Sequence, residues 1–178
     1  ETDLDAGNFK KENFDKIFKD KFNLAALIRK NNELVYARYN KKRNIDNNTI
    51  LHGMSMSKTA LSTAIGSLLC DGKIASLNDD IGKYSPSLAK TPYAKISIKN
   101  TLQMNSGVEP IQTDYKFRRK LNRIAQGMGK HEGKADVLKA ISLLKRNDRE
   151  QGSKHFYNSS DPFALSILIS DITNKPAS

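Results

Sequence analysis

The chain has 178 residues, 38% of them hydrophobic and 28% charged, enough for one ordinary globular domain or most of two small ones. No apolar run approaches the length of a membrane span, and the single cysteine, Cys70, excludes an internal disulfide. The net charge of +11 comes from lysines scattered along the whole chain, without a nucleic-acid reading motif or a row of stacking aromatics, so a specific nucleic-acid partner is not expected.

The start, Glu1-Thr2-Asp3-Leu4-Asp5, is acidic and polar and is no signal peptide. A leader already removed would mean a periplasmic or secreted protein, and otherwise a cytoplasmic one. Phe9, Phe14, Ile17, Phe18 and Phe22 recur at helical spacing and predict an amphipathic helix over 9–22. Leu24 to Arg29 and Glu33 to Tyr39 predict two strands, joined through Lys30-Asn31-Asn32 as a tight hairpin because asparagine tolerates positive φ. A polar loop follows over 41–48, then a short strand at Thr49-Ile50-Leu51.

Gly53-Met54-Ser55-Met56-Ser57-Lys58-Thr59 places Ser55 three residues before Lys58, just under one helical turn, so both side chains project from one face. A free serine is a poor nucleophile, and a lysine within hydrogen-bond reach can accept or relay its proton. Leu61, Ala64, Ile65, Leu68 and Leu69 form the apolar stripe of the helix behind the pair, and Gly72 is its stop signal. Cys70 is expected on that apolar side, as a core residue. The positive end of the helix would favour a developing oxyanion beside Ser55, although an N-cap serine occupies the same place.

Beyond it, Leu77 to Pro86 is a loop, and Ile96 to Met104 is a short helix capped by Ser97 and ended by Asn105-Ser106-Gly107. Helical pieces are expected over 117–124 and 135–144, separated by Gly127, Gly129 and Gly133. The densest basic cluster, Lys116 to Lys120 with Arg123, is expected to be a solvated face that allows weak attraction to anionic surfaces. Asp161-Pro162 predicts a helix start, with proline at the first helical position and Asp161 as the cap.

In this order the motifs resemble those of the serine beta-lactamase and penicillin-binding-protein superfamily, and most of all its class C-like branch of esterases and 6-aminohexanoate-dimer hydrolases. The resemblance runs from about residue 20 to 178. It rests on His52 to Thr59, on Leu68 to Ile74 with Leu77-Asn78-Asp79-Asp80 and Tyr84-Ser85-Pro86, on Ile96 to Gly107, and on Gly152 to Asp161. It implies an α+β fold, with helices packed on an antiparallel sheet plus a helical region. Residues 1–178 would form a single incomplete domain, 1–54 carrying the first helix and strands and 55–178 the nucleophile helix and helical region.

By the same resemblance Ser55 is the acylated nucleophile, Lys58 holds or relays its proton, and Tyr157 serves in general acid and base steps. Ser159 stands where class C enzymes commonly have asparagine. It matches the Tyr-x-Ser variant of the nylon-hydrolase-like members, and is taken as substrate-binding. This favours an amidase or esterase acting on a small-molecule or peptide substrate. A cell-wall D,D-peptidase, a beta-lactamase and a non-catalytic peptide or cell-wall binder are the alternatives. No cofactor or metal is implied, since His52, His131 and His155 are dispersed and lack ligand spacing. The family's third motif, Lys-Thr-Gly or an equivalent, does not occur in these residues. The chain is therefore expected to be the front part of a longer or cleaved protein, without the C-terminal strands. Substrate identity and oligomeric state are left open by the sequence.

Overall fold

The computed structural model describes Lys16 and residues 22–111, 116–146 and 149–176. The amphipathic helix expected over 9–22 lies outside them, apart from Lys16 and Phe22. The chain divides into two compact units, Glu1–Gly53 and Met54–Ser178.

In the first unit β1 (Ala25–Lys30) and β2 (Glu33–Tyr39) pair antiparallel. Asn31 and Asn32 supply the turn with φ of 47° and 68°, the left-handed pair that matches the twist of the flanking strands. The register slips between Ile28 and Arg29, so Ile28 faces Tyr36 and Arg29 faces Leu34, leaving Val35 as the bulged residue. Asn40 closes the open end, its amide on the Leu24 carbonyl at 2.8 Å and its side chain on that of Asn23 at 2.9 Å. The strand expected at Thr49-Ile50-Leu51 is not formed. Thr49 instead shares its hydroxyl with Asp46 at 2.7 Å in a closed turn, and Ile50 is 97% exposed.

The second unit is helical. It opens with α1 (Ser57–Cys70), which ends on Gly72 at φ 70°, where the Lys73 amide reaches back to the Leu68 carbonyl at 2.9 Å. Ile65 and Leu68 are buried, with Leu61, Ala64 and Leu69 packed beside them, as the stripe predicts. Cys70 is exposed rather than core: two residues past Leu68 it lies about 200° around the helix from the buried line. Short 3-10 turns follow at Ile81–Lys83 and Pro86–Leu88, and then α2 (Ile98–Leu102), whose cap is the Ser97 hydroxyl accepting from the Asn100 amide at 3.1 Å.

Two more predicted helices appear as α3 (Lys116–Gln126) and α4 (Val137–Ser142), which pack together. Asp136 caps α4 through the Lys139 amide at 2.8 Å. Last comes α5 (Ser160–Thr173), which packs on α1, α2 and α4 and buries Ala164, Leu165, Leu168 and Ile169. It begins before Asp161-Pro162, so Pro162 is third in the helix. Asp161 is not the cap: its own amide donates to the Asn158 side chain at 2.9 Å. Asp171 pins α5 to the second 3-10 turn through the Ser85 hydroxyl at 2.5 Å and the Ser87 hydroxyl at 2.9 Å. Among the described residues no helix is long and apolar enough to cross a membrane.

Candidate active site

Ser55 sits in the middle of a 3-10 turn, Met54–Met56, that runs directly into α1. Met54 has φ 46°, a left-handed conformation that an unbranched L-residue adopts only when its surroundings hold it there. The Ser57 hydroxyl donates to the Met54 carbonyl at 2.8 Å and secures the turn. The helix thus starts two residues after Ser55, and the serine is presented on the turn ahead of it, exposed.

Lys58 lies in the first turn of α1, and its Nζ donates to Ser55 Oγ at 3.1 Å. On the other side the Tyr157 hydroxyl is 2.7 Å from the same oxygen. Lys58 Nζ also stands 5.3 Å from the centre of the Tyr157 ring. With Tyr157 as the phenolate, the Ser55 hydroxyl is the donor of that bond, while its oxygen accepts from Lys58. The hydrogen bond from Ser55, and after it the Lys58 ammonium, holds the Tyr157 phenol below its ordinary range.

Tyr157 arrives on an extended stretch stitched to the segment around α2. Phe156 donates its amide to the Met104 carbonyl at 2.8 Å, and Gly152 to that of Asn105 at 2.8 Å. The Gln151 side chain accepts from the Ser97 amide at 3.0 Å and from Asn100 at 3.1 Å, and donates to the Lys95 carbonyl at 2.9 Å. Gly107, at φ 70°, lets this stretch come close: a Cβ there would stand 2.4 Å from the Arg149 carbonyl oxygen.

The structure therefore brings Ser55, Lys58 and Tyr157 into one hydrogen-bonded group. Ser159 lies two residues further on, half-buried at the N-cap of α5, where its side chain makes no capping bond. His155 is exposed, with Nδ1 2.9 Å from the Gln103 carbonyl. Three exposed apolar side chains adjoin the group in sequence: Met54, Met56 and Phe156. The spacing argument does not find the buried Asp161, whose Oδ1 accepts from Tyr93 and Ser106 at 2.6 Å each. Its only sequence signal, an acid before proline, points to a cap.

Comparison with known proteins gives a consistent picture. The family model described as Beta-lactamase matches residues 14–176. A protein of Escherichia coli (strain K12) named "Putative D-alanyl-D-alanine carboxypeptidase" is 30% identical over 124 residues, which are 66% of this chain and 26% of that protein. Among solved structures, one titled "Putative 6-aminohexanoate-dimer hydrolase from Bacillus anthracis" superposes with a TM-score of 0.72 at 23% identity, covering 92% of this chain and 43% of the other. FmtA from Staphylococcus aureus gives 0.61 at 21% identity, covering 97% of this chain and 45% of the other. A penicillin binding protein from Bacillus halodurans gives 0.61 at 17%, covering 93% and 51%. At these identities the structural likeness is one of fold.

Proposed function

The chain belongs to the beta-lactamase family, and on that premise we propose that it carries the nucleophile and proton-transfer groups of a serine hydrolase acting on an amide or ester. The observation that carries this reading is the position of Ser55 Oγ, 2.7 Å from the Tyr157 hydroxyl and 3.1 Å from Lys58 Nζ. Both distances lie within the reach that general-base activation of a nucleophile requires.

In the proposed reaction Tyr157 starts as the phenolate, its charge stabilised by Lys58; Ser55 Oγ attacks the substrate carbonyl and its proton passes to the Tyr157 oxygen. The Ser55 backbone N–H would be one donor to the oxyanion of the tetrahedral intermediate. Tyr157 then returns the proton to the departing amine or alcohol, leaving the acyl group on Ser55. Water, deprotonated by the same phenolate, attacks the acyl carbonyl, and Tyr157 returns that proton to Ser55 Oγ as the carboxylic acid departs. Met54, Met56 and Phe156 are suited to contact an apolar acyl group, and Ser159 is proposed to contact the substrate. The same reading takes residues 1–178 as part of one domain.

A second reading, a D,D-peptidase of the cell wall, is favoured by the 30% identity to the carboxypeptidase-named protein. The two differ in how the acyl-enzyme behaves. Saturable acylation by a penicillin with slow release supports the peptidase, whereas turnover of short-chain acyl esters supports the esterase or amidase. The shared mechanism is tested by covalent labelling with a fluorophosphonate or penicillin probe. Labelling is expected on Ser55 and is expected to vanish in Ser55→Ala; labelling that persists in that variant rejects both readings.

A further inference from the structure

The reaction proposed for Ser55 leaves one buried carboxyl without a role. Asp161, four residues past Tyr157, is fully buried, and both of its hydroxyl donors, Tyr93 and Ser106, converge on Oδ1. Its Oδ2 is also buried and has no hydrogen-bond partner among the described residues. An orphaned polar atom in the interior is costly, and an apolar side chain in the same space would avoid that cost. Burial pushes this carboxyl above its ordinary range, and burial beside it pushes the Tyr93 phenol well up.

The bonds around Asp161 lead to the candidate nucleophile's partner. Ser106 also accepts the Val108 amide at 3.1 Å, so the carboxyl grips the turn that follows α2. The Asp161 amide donates to Asn158 Oδ1 at 2.9 Å, and Asn158 Nδ2 donates to the Phe156 carbonyl at 3.1 Å, on the other side of Tyr157. Ser160 adds a parallel tie, its hydroxyl donating to the Glu109 carbonyl at 2.9 Å and accepting the Ile111 amide at 2.8 Å. Tyr157 itself is 53% exposed, so core packing does not fix its ring; its place depends on the backbone that these bonds hold from beneath.

We propose that Asp161 is a positioning residue for proton transfer: joined to Tyr93 and Ser106, it sets the turn that holds the Tyr157 hydroxyl against Ser55 and Lys58. This rests on the role proposed for Tyr157. Displacing a reacting group by about 1 Å costs on the order of 100-fold in rate.

The test compares Tyr93→Phe, Ser106→Ala and Asp161→Asn in the full chain, with p-nitrophenyl acetate as substrate and active sites counted by fluorophosphonate titration. The expected result is a fall in kcat of roughly 10- to 100-fold, at nearly unchanged KM. The acid limb of the pH–rate profile should also move to higher pH, because a displaced phenol loses the contacts that hold it low. Asp161→Asn keeps an acceptor at Oδ1 and should be the mildest of the three. The titratable groups concerned are Lys58 beside Tyr157 and Tyr93 beside Asp161. A shift common to Tyr93→Phe, Ser106→Ala and Asp161→Asn is therefore the titration of neither Tyr93 nor Asp161. Variants that lose thermal stability but keep the wild-type kcat per titrated site, or keep an unmoved limb, overturn the proposal. Tyr157→Phe separates the two readings. If it is as active as wild type, the role of Tyr157 fails; if it is crippled while the other three variants are not, only the positioning role fails.

Discussion

A phenol whose pKa is lowered by a hydroxyl and a nearby ammonium is a better base at neutral pH than a free tyrosine, and this sets the sign of the pH dependence at Tyr157. In the proposed mechanism the phenolate is the reactive form, so kcat/KM should rise with pH up to the lowered pKa and fall on the acid side of it. Lys58→Met removes the second of the two causes and should shift that limb to higher pH, which a pH–rate profile on p-nitrophenyl acetate reads directly. Tyr157→Phe should lower kcat/KM by roughly 100- to 10,000-fold, the usual worth of a positioned general base. Stability follows the same sign. The folded pKa lies below the ordinary value, so the associated stabilisation is complete above that value and is lost as pH falls through the folded one. The exposure of the group keeps that contribution small.

At the scale of the elements, glycines with the same φ are not equivalent. Gly72 and Gly107 both have φ 70°, but a Cβ at Gly72 meets open space, whereas at Gly107 it would strike the Arg149 carbonyl oxygen. Gly72→Ala should cost about 1–2 kcal/mol, the conformational penalty alone. Gly107→Ala should cost more, roughly 1–3 kcal/mol, and should also reduce acylation, since the stretch it displaces leads to Tyr157. Urea denaturation and probe labelling of the two variants check both halves. These stops were legible in the sequence, as were the Asn31-Asn32 turn and the Ser97 cap, because each depends on the φ preference or side-chain reach of one or two residues. Cys70 and Thr49-Ile50-Leu51 were not. Whether a helix position is buried depends on which neighbour covers it, and whether an extended run becomes a strand depends on a partner edge.

For the whole molecule, the core of the second unit is shared among segments far apart in the chain, with α1 giving Ile65 and Leu68 and α5 giving Leu165 and Leu168. Leu168→Ala should therefore cost about 2–5 kcal/mol in chemical denaturation, against roughly 0.5 kcal/mol or less for the exposed Leu138→Ala. The net charge of +11 should produce only weak, sequence-independent binding to duplex DNA that disappears as ionic strength rises; a gel shift that resists salt would contradict this. The sequence by itself determined the Ser55–Lys58 pair, the apolar stripe behind it and the order of motifs that mark the family, since all of these are set by spacing along the chain. Only the tertiary structure decided that the Tyr157 hydroxyl meets Ser55 across 102 residues and that Asp161 gathers Tyr93 and Ser106 from 68 and 55 residues away. Such contacts depend on the path of the backbone between them, which local periodicity and propensity do not encode.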